Sequence, residues 1–101
     1  MEKPPFLPSL IAAIRDRRAI AFVVAGTRRT AEPHAVGIGH DGREYMSAFQ
    51  LEGKNFIPGH EWIYCSVRAM ENLEVTADTF AETRPGYCRG DLRFIRFFAE
   101  L

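Results

Sequence analysis

His34-Ala35-Val36-Gly37-Ile38-Gly39-His40-Asp41-Gly42-Arg43-Glu44-Tyr45-Met46-Ser47-Ala48-Phe49-Gln50-Leu51 sets two β-prone runs on either side of Asp41-Gly42. Asp followed by Gly tolerates positive φ at both central positions of a type I′ turn, so the pattern predicts a hairpin with a two-residue loop. In that register Ile38 lies opposite Tyr45, Val36 opposite Ser47 and His34 opposite Phe49. One face carries Val36, Ile38, Tyr45, Phe49 and Leu51, and the other Ala35, Gly37, Gly39, Met46 and Ala48. Large residues favour the first face as core, whereas small residues suit the inside of a tightly curved barrel. Both assignments stay open on the sequence.

Upstream, Pro8 suits the first turn of a helix, and Leu7, Leu10, Ile11 and Ile14 follow helical spacing, which predicts a helix over 8–17. Ala19 to Ala25 reads as a strand covered on both sides, with Gly26-Thr27 turning the chain. Arg28 to Glu32 is polar and extended, and Pro33 marks an edge or a bulge because it cannot donate to a ladder. Downstream, Glu52 to Glu61 is a breaker-rich loop with Phe56-Ile57 as a plug. Trp62 to Ala69 alternates, with Ile63, Cys65, Val67 and Ala69 as the better core face. Leu73 to Thr76 supplies a last short strand after Glu71-Asn72. Five sequential strands with short turns predict an antiparallel meander closing into a small barrel, since closure removes exposed edges. Asp78 to Arg89 is irregular. Asp91 is a candidate N-cap for a closing helix with Phe94, Phe97, Phe98 and Leu101 at i, i+3, i+4 and i+7. The expected architecture is therefore mainly β within an α+β class: helix 8–17, barrel strands over about 19–77, and a tail of loop and short helix over 78–101, as one domain.

The 101 residues hold one core, and 47% apolar with 26% charged residues is ordinary for a folded globule. Thirteen basic and thirteen acidic residues cancel, which argues against a whole-domain electrostatic grip on nucleic acid. The longest apolar run is too short to span a bilayer and the start lacks signal-peptide character, so a cytoplasmic protein with no membrane partner is expected. Cys65 and Cys88 lack CxxC spacing and read as reduced thiols.

Several ordered pieces together resemble a bacterial stand-alone WYL domain: Ala13-Ile14-Arg15-Asp16-Arg17-Arg18, Glu32-Pro33-His34-Ala35-Val36-Gly37, Gly42-Arg43-Glu44-Tyr45-Met46, Ala48-Phe49-Gln50, Trp62, Glu71-Asn72-Leu73-Glu74-Val75 and Arg84-Pro85-Gly86-Tyr87-Cys88-Arg89-Gly90-Asp91. Glu44-Tyr45-Met46 stands where that family has Trp-Tyr-Leu. The resemblance implies an Sm-like or SH3-like small barrel that serves as a sensor module in transcription regulators and phage-defence systems and binds nucleic acid, nucleotides or other anions. Cys65-Ser66-Val67-Arg68-Ala69-Met70 departs from the family's Phe-Arg-Val-Asp-Arg-Ile-like segment, putting Ser66 and Ala69 at its basic positions and Arg68 at its acidic one.

Arg28, Arg29, His34, Tyr45 and Arg68 are the expected ligand-binding residues, because arginine forks and a tyrosine suit a phosphate or a stacked base. The plainer reading makes Arg28 and Arg29 a solvated turn, Tyr45 core and His34 a satisfied buried histidine. His34, His40, His60, Cys65 and Cys88 lack paired ligand spacing, so no metal site is expected, and no cofactor motif is present. No nucleophile motif or phosphate loop appears, and Cys88 beside Arg89 does not by itself make an active site. The expectation is a non-enzymatic binding module for a nucleotide or single-stranded nucleic acid. The alternative is a protein-interaction module or homodimer acting through Phe94, Phe97 and Phe98 on the closing helix.

Overall fold

The computed structural model describes residues 6–53 and 61–101, with Glu52 and Gly53 as backbone only. The expected plug Phe56-Ile57 and His60 lie outside the described residues. The order is helix α1 (Leu7–Asp16), strands β1 (Arg18–Val24), β2 (Thr27–Gly39), β3 (Glu44–Gly53) and β4 (Trp62–Ser66), a 3-10 turn at Val67–Ala69, then β5 (Glu71–Thr79) and β6 (Phe94–Glu100).

Helix α1 begins with Pro8 in its first turn and ends at Arg17, whose left-handed backbone (φ 51°) breaks the helix and leads directly into β1. Its apolar stripe of Leu10, Ala13 and Ile14 packs on Ile20, Phe22, Ala31, Val36, Met46 and Ala48 of the sheet, with Val67 and Met70 closing one end of the core. Burying such side chains contributes roughly 1.5–3 kcal/mol each, which makes this layer the main source of stability.

All six strands join in one antiparallel sheet of order β4-β3-β2-β1-β5, with β6 paired to β2. Strand β2 organises it. One edge of β2 pairs with β3 from Arg29 to Ile38; the other pairs with β1 as far as Ala31 and with β6 from Ala35 onward. Pro33, with no N–H to give, falls in the gap between those two partners. The expected bulge is there, since the β2–β3 register shifts between Pro33 and Ala35 and leaves His34 as the extra residue.

Three expectations are corrected. The sheet is open and does not close into an Sm-like or SH3-like barrel, because β4 and β5 are adjacent in sequence but do not pair. The 3-10 turn between them buries Val67 and Met70 in the core and sends β5 across to β1.

The hairpin loop is also one residue longer than expected. Gly39 N–H donates to Arg43 O at 2.9 Å and Gly42 N–H to Gly39 O at 3.0 Å, with φ 78° at Gly42 and no positive φ at Asp41. That is a three-residue loop ending in a glycine bulge. From Ala35 to Ile38 each β2 residue therefore meets a partner one position earlier: Val36 faces Met46, Gly37 faces Tyr45 and Ile38 faces Glu44. The two-residue turn with positive φ at both centres occurs instead at Ala25-Gly26, φ 51° and 76°.

Finally, Phe94–Glu100 is a strand and not a helix, and the sheet has six strands instead of five. Seven residues are too few to sustain an isolated helix, and β2 offers a ladder. The helix-like spacing has a β cause. The β2–β6 register skips at Ile95 and at Phe98, so two bulges bring Phe94 and Phe97 opposite Gly39 and Gly37.

Backbone passes so close to Gly37 that a Cβ there would lie 2.1 Å from Arg96 O, whereas a Cβ at Gly42 would meet nothing. Gly37→Ala should cost about 2–3 kcal/mol through overpacking, and Gly42→Ala about 1 kcal/mol through its left-handed backbone alone. Urea denaturation of both variants checks this; equal losses would show that β6 gives way freely.

Candidate functional site

The side of the sheet away from α1 is aromatic and polar. Cross-strand pairing aligns Phe49 with Glu32 and Trp62, and Ser47 with Ala35 and Tyr64. Residues 80–93 cross this face as a strap. His34 sits at the centre with no exposed surface. Its ring lies edge-on to Trp62 at 4.9 Å, stacks on Phe80 at 5.5 Å and tilts against Tyr87 at 5.1 Å.

Both ring nitrogens of His34 are engaged. Nδ1 is 2.8 Å from Glu32 O, and the Arg84 backbone N–H donates to Nε2 at 3.1 Å. Since a carbonyl only accepts and a backbone N–H only donates, these partners assign the neutral tautomer with its proton on Nδ1. Burial pushes the His34 pKa below the ordinary histidine value, ahead of the opposing influence of Glu32.

Arg84 closes the cluster. Its Nε and Nη2 donate to the two carboxylate oxygens of Glu32 at 2.7 and 3.0 Å, and its guanidinium lies 5.1 Å from the Phe49 ring centre. Glu32 is almost fully buried, so a bidentate cation is what makes its carboxylate tolerable there. The carboxylate hydrogen bond in turn raises the Arg84 pKa. Trp62 Nε1–H donates to Pro85 O at 2.9 Å, and Tyr87 O–H to Leu101 O at 2.9 Å. Gly86 passes against the indole, where a Cβ would lie 2.9 Å from Trp62 Nε1.

The five expected ligand residues do not converge. Arg28 and Arg29 stand at the start of β2, beside Val23 and Phe22 of β1. Arg28 makes an exposed ion pair with Glu74 at 3.7 Å, and Arg29 Nη1 donates to Gln50 Oε1 at 2.9 Å. Tyr45 pairs with Gly37, eight residues of β2 beyond Arg29 and so about 26 Å along the strand. His34 lies under the strap, and Arg68 is exposed on the 3-10 turn.

One face of the half-buried Tyr45 ring is covered. It stacks on Tyr64 at 4.8 Å and lies against Gly39, where a Cβ would come within 2.8 Å of the ring. The Arg93 guanidinium caps Tyr64 at 4.2 Å from its centre. The Tyr45 hydroxyl donates to Asp41, which raises the tyrosine pKa and lowers that of the carboxyl. Of the three phenylalanines expected to form an interaction surface, Phe94 is buried against Tyr64 and Phe97, and Phe98 packs on the core. The exposed apolar groups there are Leu92 (88%) and Ile95 (59%).

Of the five expected ligand residues only His34 lies in this cluster, and its partners Glu32, Trp62, Phe80 and Arg84 are not among the residues expected to bind a ligand. Arg84-Pro85-Gly86-Tyr87 was the available signal, since a punctuated aromatic loop between β segments suggests a docked strap.

No protein-family model, curated protein or solved structure matches the chain. Among the described residues, no group of three or more His, Cys, Asp or Glu side chains gathers as a metal site, and no helix is long and apolar enough to cross a membrane.

Two predictions follow from this geometry. A double-mutant cycle on Glu32→Gln and Arg84→Ala should give a coupling of about 1–2 kcal/mol, less than a fully buried pair because Arg84 is 41% exposed; coupling near zero would mean that solvent screens the pair completely. Burial pushes the Cys65 thiol up to about 11, while Cys88 is exposed. Thiol titration of the native protein at about pH 8 should therefore show one fast and one slow group, converging on denaturation.

Proposed function

We propose that the chain is a non-catalytic binding module that takes a negatively charged ligand, a nucleotide or single-stranded nucleic acid, at Arg29. This reading accords with the WYL resemblance in ligand chemistry, without its barrel. One observation carries it. Of the two half-buried arginines among the described residues, Arg84 has a carboxylate partner and Arg29 has the neutral amide of Gln50. Gln50 is buried (3% exposed), and its amide oxygen holds the guanidinium in place. A partly desolvated guanidinium held by a neutral amide suits a phosphate better than a mobile surface arginine does. Arg28, next in the chain and exposed, adds positive charge near that end of β2.

The test is fluorescence anisotropy of labelled single-stranded DNA and RNA at two salt concentrations, with mononucleotides as competitors. Saturable, salt-sensitive binding is expected, weakened about tenfold by Arg29→Ala, the loss of one charge-assisted hydrogen bond. Absence of saturable binding at either salt concentration overturns the reading.

A second reading rests on Leu92 and Ile95, whose exposure beside β6 suits contact with another protein or a second copy. A wild-type dimer by light scattering that becomes monomeric in Leu92→Ser with Ile95→Ser would favour it. A monomer at high concentration would remove the dimer version.

A further inference from the structure

We propose that His34 is an acid-sensitive latch for residues 80–93: proton uptake at its Nε2 releases the strap from the aromatic face of the sheet while the α1 layer stays folded. The argument begins with donor and acceptor arithmetic. In the closed form Nε2 is an acceptor, and the group it serves is the backbone N–H of Arg84. A proton taken from water at Nε2 makes imidazolium, in which both nitrogens donate. Nδ1–H keeps Glu32 O, but Nε2–H now points at another N–H, so the Arg84 contact turns from attraction to repulsion. Rotating the ring cannot help, because Trp62, Phe80 and Tyr87 hold it on three sides.

The charged neighbours act in opposite directions on the ring: the Glu32 carboxylate favours the imidazolium and the Arg84 guanidinium disfavours it, with burial outweighing both. Among the described residues, the groups facing His34 are the Glu32 carboxylate from its own strand and Arg84 and Tyr87 from the strap; β4 contributes the uncharged Trp62. Imidazolium repels the Arg84 guanidinium and competes with it for Glu32, the carboxylate that clamps the strap. An open groove of about 440 Å³, lined by Glu32, Phe80, Thr83 and Arg84 among others, gives water a route to this clamp.

The sign follows from the depressed pKa. The open strap, with His34 hydrated, binds the proton more readily than the closed one. Closure is therefore fully favoured above the ordinary histidine value near 6.5 and lost as pH falls below it through the lower closed-state value.

The chain has a single tryptophan, Trp62, and its indole N–H is bonded to the strap at Pro85. Its emission is read from about pH 7.5 to about 4.5, together with NMR of the His34 ring and the Arg84 amide. The expected result is a red shift of Trp62 emission and loss of Arg84 amide protection, both tracking His34 protonation, while the Ile20 and Phe22 amides in β1 keep their protection. His34→Gln retains an acceptor for the Arg84 N–H but does not titrate, and should abolish the transition. His40→Gln removes the exposed histidine bonded to Leu92 O and should leave it intact. The proposal is overturned if His34 stays neutral across the range, or if it titrates without a change at Trp62. It is also overturned if the β1 amides open at the same midpoint. Should His34→Gln fail to fold, the wild-type comparison of ring, strap and β1 signals decides alone.

Discussion

A proline in the middle of the longest strand is the constraint on which the rest of this structure depends. Strand β2 has to serve β1 along its first half and β6 along its second, on the same edge. Pro33 sits where one ladder stops and the other begins. The neighbouring bulge puts His34 outside the regular alternation, and its ring lands among the aromatic groups of the far face. A regular strand would leave no extra residue here, and the strap would lose its anchor.

Two unlike layers result. Under α1 the contacts are aliphatic, non-directional and tolerant of conservative change. Under the strap they are directional: a bidentate ion pair, an indole N–H on a carbonyl, and a histidine bonded through both nitrogens. Burying Glu32 and His34 costs desolvation that only complete satisfaction offsets. No buried side-chain polar atom among the described residues lacks a partner. Such a layer specifies one conformation of the strap, but changing one protonation state disturbs several bonds at once. The aliphatic layer has no comparable sensitivity.

Local signals in the sequence carried the local structure. Pro8 and the Leu10–Ile14 stripe placed α1, the alternation from Trp62 put Ile63, Cys65 and Val67 on the core side but wrongly added Ala69, which is exposed on the 3-10 turn, and Pro33 announced a bulge. What was misread depended on distant partners. Asp41-Gly42 fits a type I′ turn and a glycine-bulge loop almost equally well, and the one-residue difference reassigns every cross-strand pair. In Phe94–Leu101, two bulges against β2 produced the i, i+3, i+4 spacing of a helix, and β6 backbone comes as close as it does at Arg96 because Gly37 has no side chain there. At the site, His34 was recognisable as a buried histidine. Arg84 lies fifty residues away, and nothing local marks it as the partner of Glu32.

The barrel expectation rested on the need to eliminate sheet edges, and this fold meets that need by other means. Strand β5 is exposed along most of its length, but it carries Glu71, Glu74 and Asp78, and Asn72 enters the left-handed region (φ 53°) where the pairing with β1 slips. Charge and a kink both oppose addition of a further strand. Strand β4 is only five residues long. Strand β6, rich in phenylalanine and therefore the most open to unwanted pairing, is interrupted at Ile95 and Phe98 by the same bulges that disguised it. Bulges twist a strand and break the even row of N–H and C=O groups that a neighbour would need. The irregularities that defeated the simple periodic reading of the chain are thus the features that let an open sheet of this size exist without closing.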